Sequence, residues 1–171
     1  MVSRGDTAPD FAGSAVQRGE ARTLELFAEV RDHDVVVLVF EPADFVPTCT
    51  AELRALAAAD WDTHTNLSVI GLTGDSLFSH AAYADRYDIP FPLVSDFHAG
   101  IADSYDLVLD SWEGHPSIPA RATVVLEDWT VRAVESVSPL STRSPAPVER
   151  VVPAIREAGV DVATPDVTYD F

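Results

Sequence analysis

Six consecutive apolar residues, Val35-Val36-Val37-Leu38-Val39-Phe40, place no polar side chain on either alternation. A strand with one wet face would alternate, so this one must be buried on both faces. That demand needs packed layers above and below a sheet. Ser68 to Thr73 reads the same way. Ala122 to Leu126 and Val131 to Glu135 are two further runs separated by a short turn at Glu127–Trp129, a hairpin signal. Helical patterns lie between the strands. Thr23 to Val30 is one, with Leu24 and Phe27 expected inward. A second starts at Cys49 and sets Leu53, Leu56, Ala57 and Trp61 on one face. A third runs from a cap at Asp75 or Ser76 to about Tyr87, and Ala99 to Tyr105 suggests a shorter one. This alternation predicts an α/β fold: a central mixed sheet with parallel crossovers, flanked by helices and closed by a hairpin.

The chain of 171 residues suits one domain, expected over residues 1–160 with a polar tail at 161–171 that ends in Tyr169 and Phe171. Ser138 to Pro147 reads as a connection, and Val148 to Ala158 as a helix broken near Pro153. The net charge is −17, and all 11 cations are Arg. A chain so acidic lacks the basic stripe needed for nucleic acid and does not suit an anionic membrane surface. The first ten residues contain no apolar segment of the kind a secretory signal needs, so a cytoplasmic location is expected. An acidic surface without Lys also fits a halophilic source, because concentrated salt screens the self-repulsion.

Cys49 is the only cysteine, which excludes an internal disulfide and a Cys-rich zinc site. It follows the buried strand across a loop holding Pro42 and Pro47, and it opens an amphipathic helix with Thr48 as the expected N-cap. Free N–H groups and the positive end of a helix dipole lower a cysteine pKa, so Cys49 is expected to titrate below about 8.5. The five histidines, at 33, 64, 80, 98 and 115, form no metal-ligand spacing, and there is no Gly-rich phosphate loop. No metal and no cofactor are expected.

Pro42, three residues, Val46, two residues and Cys49 make a segment that resembles the active-site loop of peroxiredoxins. Four further blocks share the resemblance: Gly5–Phe11 (GDTAPDF), Gly74–His80 (GDSLFSH), Phe91–Asp96 (FPLVSD) and Ala120–Leu126 (ARATVVL). It covers about residues 3 to 135 and leans towards the single-cysteine members of the bacterioferritin-comigratory and alkyl-hydroperoxide-reductase-E branch. The resemblance implies a thioredoxin-like fold and thiol-dependent reduction of hydrogen peroxide or organic hydroperoxides. It casts Cys49 as the peroxidatic cysteine, Arg121 as the arginine that holds the thiolate and polarises the peroxide, and Pro42 as its shield. Backbone N–H groups of Val46 and Cys49 would donate to the peroxide. A lone cysteine then requires an external reductant, a small thiol or a thioredoxin- or glutaredoxin-type protein. A homodimer is a further expectation.

Two positions depart from the pattern. Val46 stands where the family has Thr or Ser, so a hydroxyl is missing. Glu41 replaces the usual aromatic before Pro42 and brings a negative charge towards the thiol. An alternative reading follows from the first departure: a non-enzymatic redox sensor or scaffold that has lost peroxidase activity. A thioredoxin-type disulfide reductase is disfavoured, because Glu52 occupies the second cysteine position of a CxxC.

Overall fold

The computed structural model describes residues 1–171. Its elements, in chain order, are β1 (Ala12–Gln17), β2 (Glu20–Glu25), α1 (Leu26–Asp32), β3 (Val35–Glu41), α2 (Pro47–Ala58), β4 (Leu67–Thr73), α3 (Leu77–Tyr87), β5 (Leu93–Ser95), α4 (Gly100–Ser104), β6 (Val108–Trp112), β7 (His115–Pro119), β8 (Arg121–Glu127), β9 (Thr130–Val137), α5 (Pro147–Arg150) and α6 (Val152–Glu157). Seven strands form one sheet in the order β2-β1-β5-β4-β3-β8-β9. The three inner strands β3, β4 and β5 are parallel, and β8 and β1 flank them antiparallel. The sheet is therefore mixed and central, as the strand–helix alternation requires. No helix is long and apolar enough to cross a membrane.

β3 is buried along its whole length, and its period-2 alternation feeds two cores. Val35, Val37 and Val39 pack with Leu53 and Leu56 of α2, Tyr83 of α3, Val148 of α5 and Ile155 of α6. Val36, Leu38 and Phe40 pack with Leu26 and Val30 of α1 and with Ala102 and Tyr105 beyond the sheet's other face. The cores hold 21 and 20 buried residues, so both faces of the central strands are covered.

Several local expectations need correction. Thr23 to Glu25 are strand, not helix, because they pair antiparallel with β1 in the register Ala12↔Glu25 to Gln17↔Glu20. Helix α1 begins only at Leu26, and its inward positions are Leu26 and Val30, one turn apart. Phe27 consequently points outward at 55% exposure and meets the Trp129 ring at 6.3 Å. The break expected near Pro153 is present: it falls at Val151, between α5 and α6, and Pro153 sits in the first turn of α6, where its missing N–H removes no helical bond. The hairpin between β8 and β9 turns on Asp128 and Trp129 alone, both left-handed at φ 45 and 66. That is the backbone of a two-residue primed turn, held here without glycine. The Trp129 carbonyl accepts the Ala8 N–H at 2.7 Å, which ties the N-terminal segment to the turn.

The tail packs back on its own chain. Val160 and Val162 are buried, and Trp61 Nε1 donates to the Ala163 carbonyl at 2.8 Å. This sets residues 164–171 along α2, where Asp166, Thr168, Asp170 and Phe171 form one wall of a cleft of about 490 Å³ and Phe45, Pro47, Ala51 and Arg54 another.

Candidate active site

The parallel strands β3, β4 and β5 all end on one side of the sheet, the side on which α/β folds bind ligands. The loop from Pro42 to Val46 leaves β3 there. It is pinned from below by Asp44, which is buried. Asp44 accepts from Thr73 Oγ1 at 2.9 Å and from Ser79 Oγ at 2.7 Å, and its Oδ2 lies 2.7 Å from His80 Nδ1. Its own N–H donates to Asp75 at 2.7 Å. Gly74 lets the loop settle: a Cβ there would stand 2.9 Å from the Pro42 carbonyl oxygen. Phe45 takes a left-handed conformation, φ 63, and its ring rests on Tyr83 at 4.9 Å.

Helix α2 opens with Val46 as N-cap, Pro47 as its first residue and Cys49 in its first turn. Thr48 is thus not the cap expected of it. It is the second residue of the helix, and its hydroxyl donates to the Pro139 carbonyl at 2.6 Å. Val46 offers no side-chain acceptor, and Pro47 has no N–H. The N–H groups of Val46 and Cys49 make no bond within the chain and remain donors at the helix start. Pro42 is buried beneath this turn, and Cys49 is completely buried.

Arg121 begins β8 on the same face. It is buried, and each of its five N–H groups is engaged. Nε donates to Glu52 Oε1 at 2.8 Å, and Nη2 donates to the same oxygen. Nη1 donates to the carbonyls of Pro139 at 3.2 Å and Ser141 at 2.6 Å. Nη2 donates its second hydrogen to Tyr169 Oη at 2.8 Å, and the Tyr169 ring lies 5.7 Å from Cζ. Glu52, one turn along α2 from Cys49, is therefore the buried counter-ion that orients Arg121. Burial pushes its carboxyl up, while Arg121 opposes that rise.

The thiol does not follow the expectation of a lowered pKa. Burial pushes Cys49 well above its ordinary value, and the Glu41 charge pushes it further. Arg121 and Thr48 pull the other way without prevailing. Glu41 itself is buried at the end of β3, and both its carboxylate oxygens lack a hydrogen-bond partner. Desolvation and the neighbouring Glu52 and Asp44 raise its carboxyl well above the ordinary 4.5.

Cys49, Arg121, Pro42, Glu52 and Thr48 are thus brought together by the β3–α2 loop, α2 and the start of β8, which lies far along the chain. Tyr169 and the Pro139 and Ser141 carbonyls were not foreseen. Carbonyls leave no sequence signal, whereas the aromatic Tyr169 in an otherwise polar tail did leave one.

A thiol at the first turn of the helix after the central strand, with a buried arginine on the adjoining strand, defines a thioredoxin-like site for thiol chemistry. Residues 4–134 match the AhpC/TSA family, and the chain belongs to it, among the peroxiredoxins. A peroxiredoxin of Aquifex aeolicus is 34% identical over 143 residues, covering 76% of this chain and 62% of that protein. The chain thus spans less than two thirds of that relative's length. The reduced 2-Cys peroxiredoxin of Plasmodium vivax superposes with a TM-score of 0.75 at 26% identity, over 90% of this chain and 96% of that one. The peroxidoxin BcpB of Mycobacterium tuberculosis gives 0.66 at 28% identity, over 80% and 86%.

Proposed function

We propose that the protein is a thiol-dependent peroxidase that reduces hydrogen peroxide or organic hydroperoxides through a sulfenic acid on Cys49, by a one-cysteine mechanism. The observation that carries this is the grouping of the sole thiol, two free helix-start N–H groups and the Arg121 guanidinium on one face of the sheet's carboxyl end. The thiolate attacks one peroxide oxygen. The N–H groups of Val46 and Cys49 hold the peroxide, and Arg121 offsets the negative charge. Cys49 has no second cysteine with which to form an internal disulfide. The sulfenic acid is then returned to thiol by an external reductant, a small thiol or a thioredoxin- or glutaredoxin-type protein. The test is intact mass after one equivalent of peroxide. Addition of oxygen to the monomer, with turnover restored by added thiol, is expected. Quantitative covalent dimer within the first turnover would overturn the one-cysteine mechanism.

A second reading, a redox sensor or scaffold without turnover, draws on one observation: every N–H of Arg121 is already engaged within the chain. Sustained peroxide consumption in the presence of excess thiol separates the two.

A homodimer is part of the proposal. Phe45, Phe78 and Phe97 are exposed, and all three follow the carboxyl ends of the parallel strands, so a second copy has apolar side chains to cover. Sedimentation of the reduced protein tests it. We also propose a cytoplasmic, high-salt setting, supported by the charge of −17 and the absence of Lys. An unfolding midpoint that rises between about 0.1 and 1 M KCl, where the screening length shrinks from about 10 to 3 Å, is the expected sign.

A further inference from the structure

Glu41 is the largest unexplained polar group in the protein. Both of its oxygens are buried and unpartnered, and nothing in the mechanism above uses them. Its direction follows from the strand. Glu41 shares the parity of Val35, Val37 and Val39, whose side chains pack against α2 and α3. It therefore faces the helix that carries Cys49.

The neighbours follow from the register. β3 pairs with β8 as Val39↔Thr123 and Phe40↔Ala122, so the next step sets Glu41 opposite Arg121. Directly opposed residues hold their Cβ atoms about 4.5–5.5 Å apart. On the other side Glu41 pairs with Thr73 of β4. Thr123, one pair further along on the same face, has a second buried and unpartnered polar atom, Oγ1. A polar floor made of Thr73, Glu41, Arg121 and Thr123 thus lies beneath the first turn of α2. The ionisable groups that face Glu41 are Cys49 and Glu52 from α2, Arg121 from β8, Asp44 from the loop and Tyr83 from α3. Of the charges that act on the Cys49 thiol, that of Glu41 has the largest effect.

We infer that Glu41 is a catalytic residue of this site, a carboxylic acid that gives its proton to the leaving oxygen of the peroxide as the Cys49 thiolate attacks. The inference rests on the peroxidase reading. Cys49–S⁻, HO–OR and Glu41–COOH give Cys49–SOH, HOR and Glu41–COO⁻. A bond forms between sulfur and the hydroxyl oxygen, the O–O bond breaks, and its electron pair leaves on OR, which takes the proton. Sulfur is oxidised and the peroxide reduced, and the site carries one negative charge before and after. Two molecules of the external thiol then reduce the sulfenic acid to Cys49–SH, giving their disulfide and water. The thiol proton returns to the Glu41 carboxylate. Two buried acids this near cannot both ionise easily, so they hold one proton between them. The carboxylic acid fills the place of the hydroxyl that Val46 lacks.

Glu41→Gln keeps the shape of the side chain and removes both its charge and its proton, so two rates should move in opposite directions. Alkylation of Cys49 by iodoacetamide at neutral pH should quicken, because the thiol loses its strongest opposing charge. Peroxide consumption in a single turnover should slow by about a hundredfold, the lower end of what a general acid contributes. A purely structural residue would not split the two readouts. A variant that consumes peroxide as fast as the parent, or faster, overturns the acid role and leaves the peroxidase reading standing. A parent that is alkylated but consumes no peroxide overturns both. The parent alone supplies a second measurement that needs no folded variant. Its peroxide rate should fall at alkaline pH as the shared proton is lost, while its alkylation rate keeps rising. Peroxide and alkylation rates that rise in step across the whole range overturn the proposal.

Discussion

Replacing Tyr169 with Phe isolates one hydrogen bond at the centre of the site. Arg121 has five N–H donors and all are engaged, two by Glu52, two by main-chain carbonyls and one by Tyr169 Oη at 2.8 Å. A peroxide or a thiolate can gain a bond from Arg121 only by displacing one of these acceptors. The Glu52 pair is buried and the two carbonyls are part of a fixed connection, so the half-buried Tyr169 hydroxyl is the acceptor that yields most readily. Tyr169→Phe removes that hydroxyl and keeps the ring beside the guanidinium, so packing changes little. A hydrogen bond to a charged donor contributes about 1.5–3 kcal/mol net. Tyr169 is partly exposed, which argues for the low end, and about 1.5 kcal/mol corresponds to roughly tenfold in rate. Stopped-flow measurement of single-turnover peroxide reduction should therefore show an approximately tenfold gain, with the unfolding midpoint within a few degrees of the parent. An unchanged or slower rate in a folded variant would refute the reasoning, because Arg121 would then act without needing a released N–H.

Three further outcomes follow from the same contacts. Arg121→Met leaves the buried Glu52 carboxylate unpaired and should cost about 3–5 kcal/mol in urea unfolding, whereas adding Glu52→Leu to it should recover much of that loss, since removing both partners of a buried pair is often near neutral. Val46→Thr places a hydroxyl at the N-cap of α2, where it can accept the Thr48 N–H and leave the Cys49 N–H to the peroxide. It should raise stability by about 0.5–2 kcal/mol in chemical denaturation and quicken peroxide reduction, and a loss on both counts would contradict the N-cap assignment. Burial raises the Glu41 carboxyl in the folded state above the ordinary 4.5 it has when unfolded, so the folded state binds this proton more tightly and loses stability as pH rises above that value. Unfolding curves of the parent and Glu41→Gln should therefore run parallel below about pH 4.5 and diverge above it in favour of the variant.

The central architecture is legible in the sequence because a strand buried on both faces leaves little choice of residues. Val35 to Phe40 reads as β because every position had to be apolar, and Ala122 to Leu126 because every position but Thr123 had to be. The edge was harder. Glu20 to Glu25 carries Arg, Thr and two Glu with one buried Leu, and only its pairing with β1 makes it a strand. At the site, Cys49, Arg121 and Pro42 stand in recognisable blocks, and the apolar positions beyond Cys49 bring the helix start to within two residues of Pro47. The cap was misplaced because Thr48 is a good N-cap by type, yet Pro47 fits the first helical position better and moves the boundary back to Val46. The pKa of Cys49 was misjudged for a different reason. A helix start is visible in sequence, but the depth of burial and the inward turn of Glu41 depend on how α2 lies on the sheet.

The wall formed by Asp166, Thr168, Asp170 and Phe171 has a bearing on which reductants can reach the thiol. Cys49 is wholly enclosed, Tyr169 is bonded to Arg121, and Asp166, Thr168, Asp170 and Phe171 line the cleft beside α2. A peroxide is small enough to enter such an enclosure, but the thiol of a macromolecular donor must approach along the S–S axis with its own surface in tow. If such a donor needs the tail to swing aside, its apparent affinity is divided by the fraction of molecules in which it has done so. Ions or partners that hold the tail open would then change how fast the protein is recycled without touching how fast it is oxidised. Oxidation and recycling would answer to separate controls, one built into the floor of the site and the other into its outermost residues.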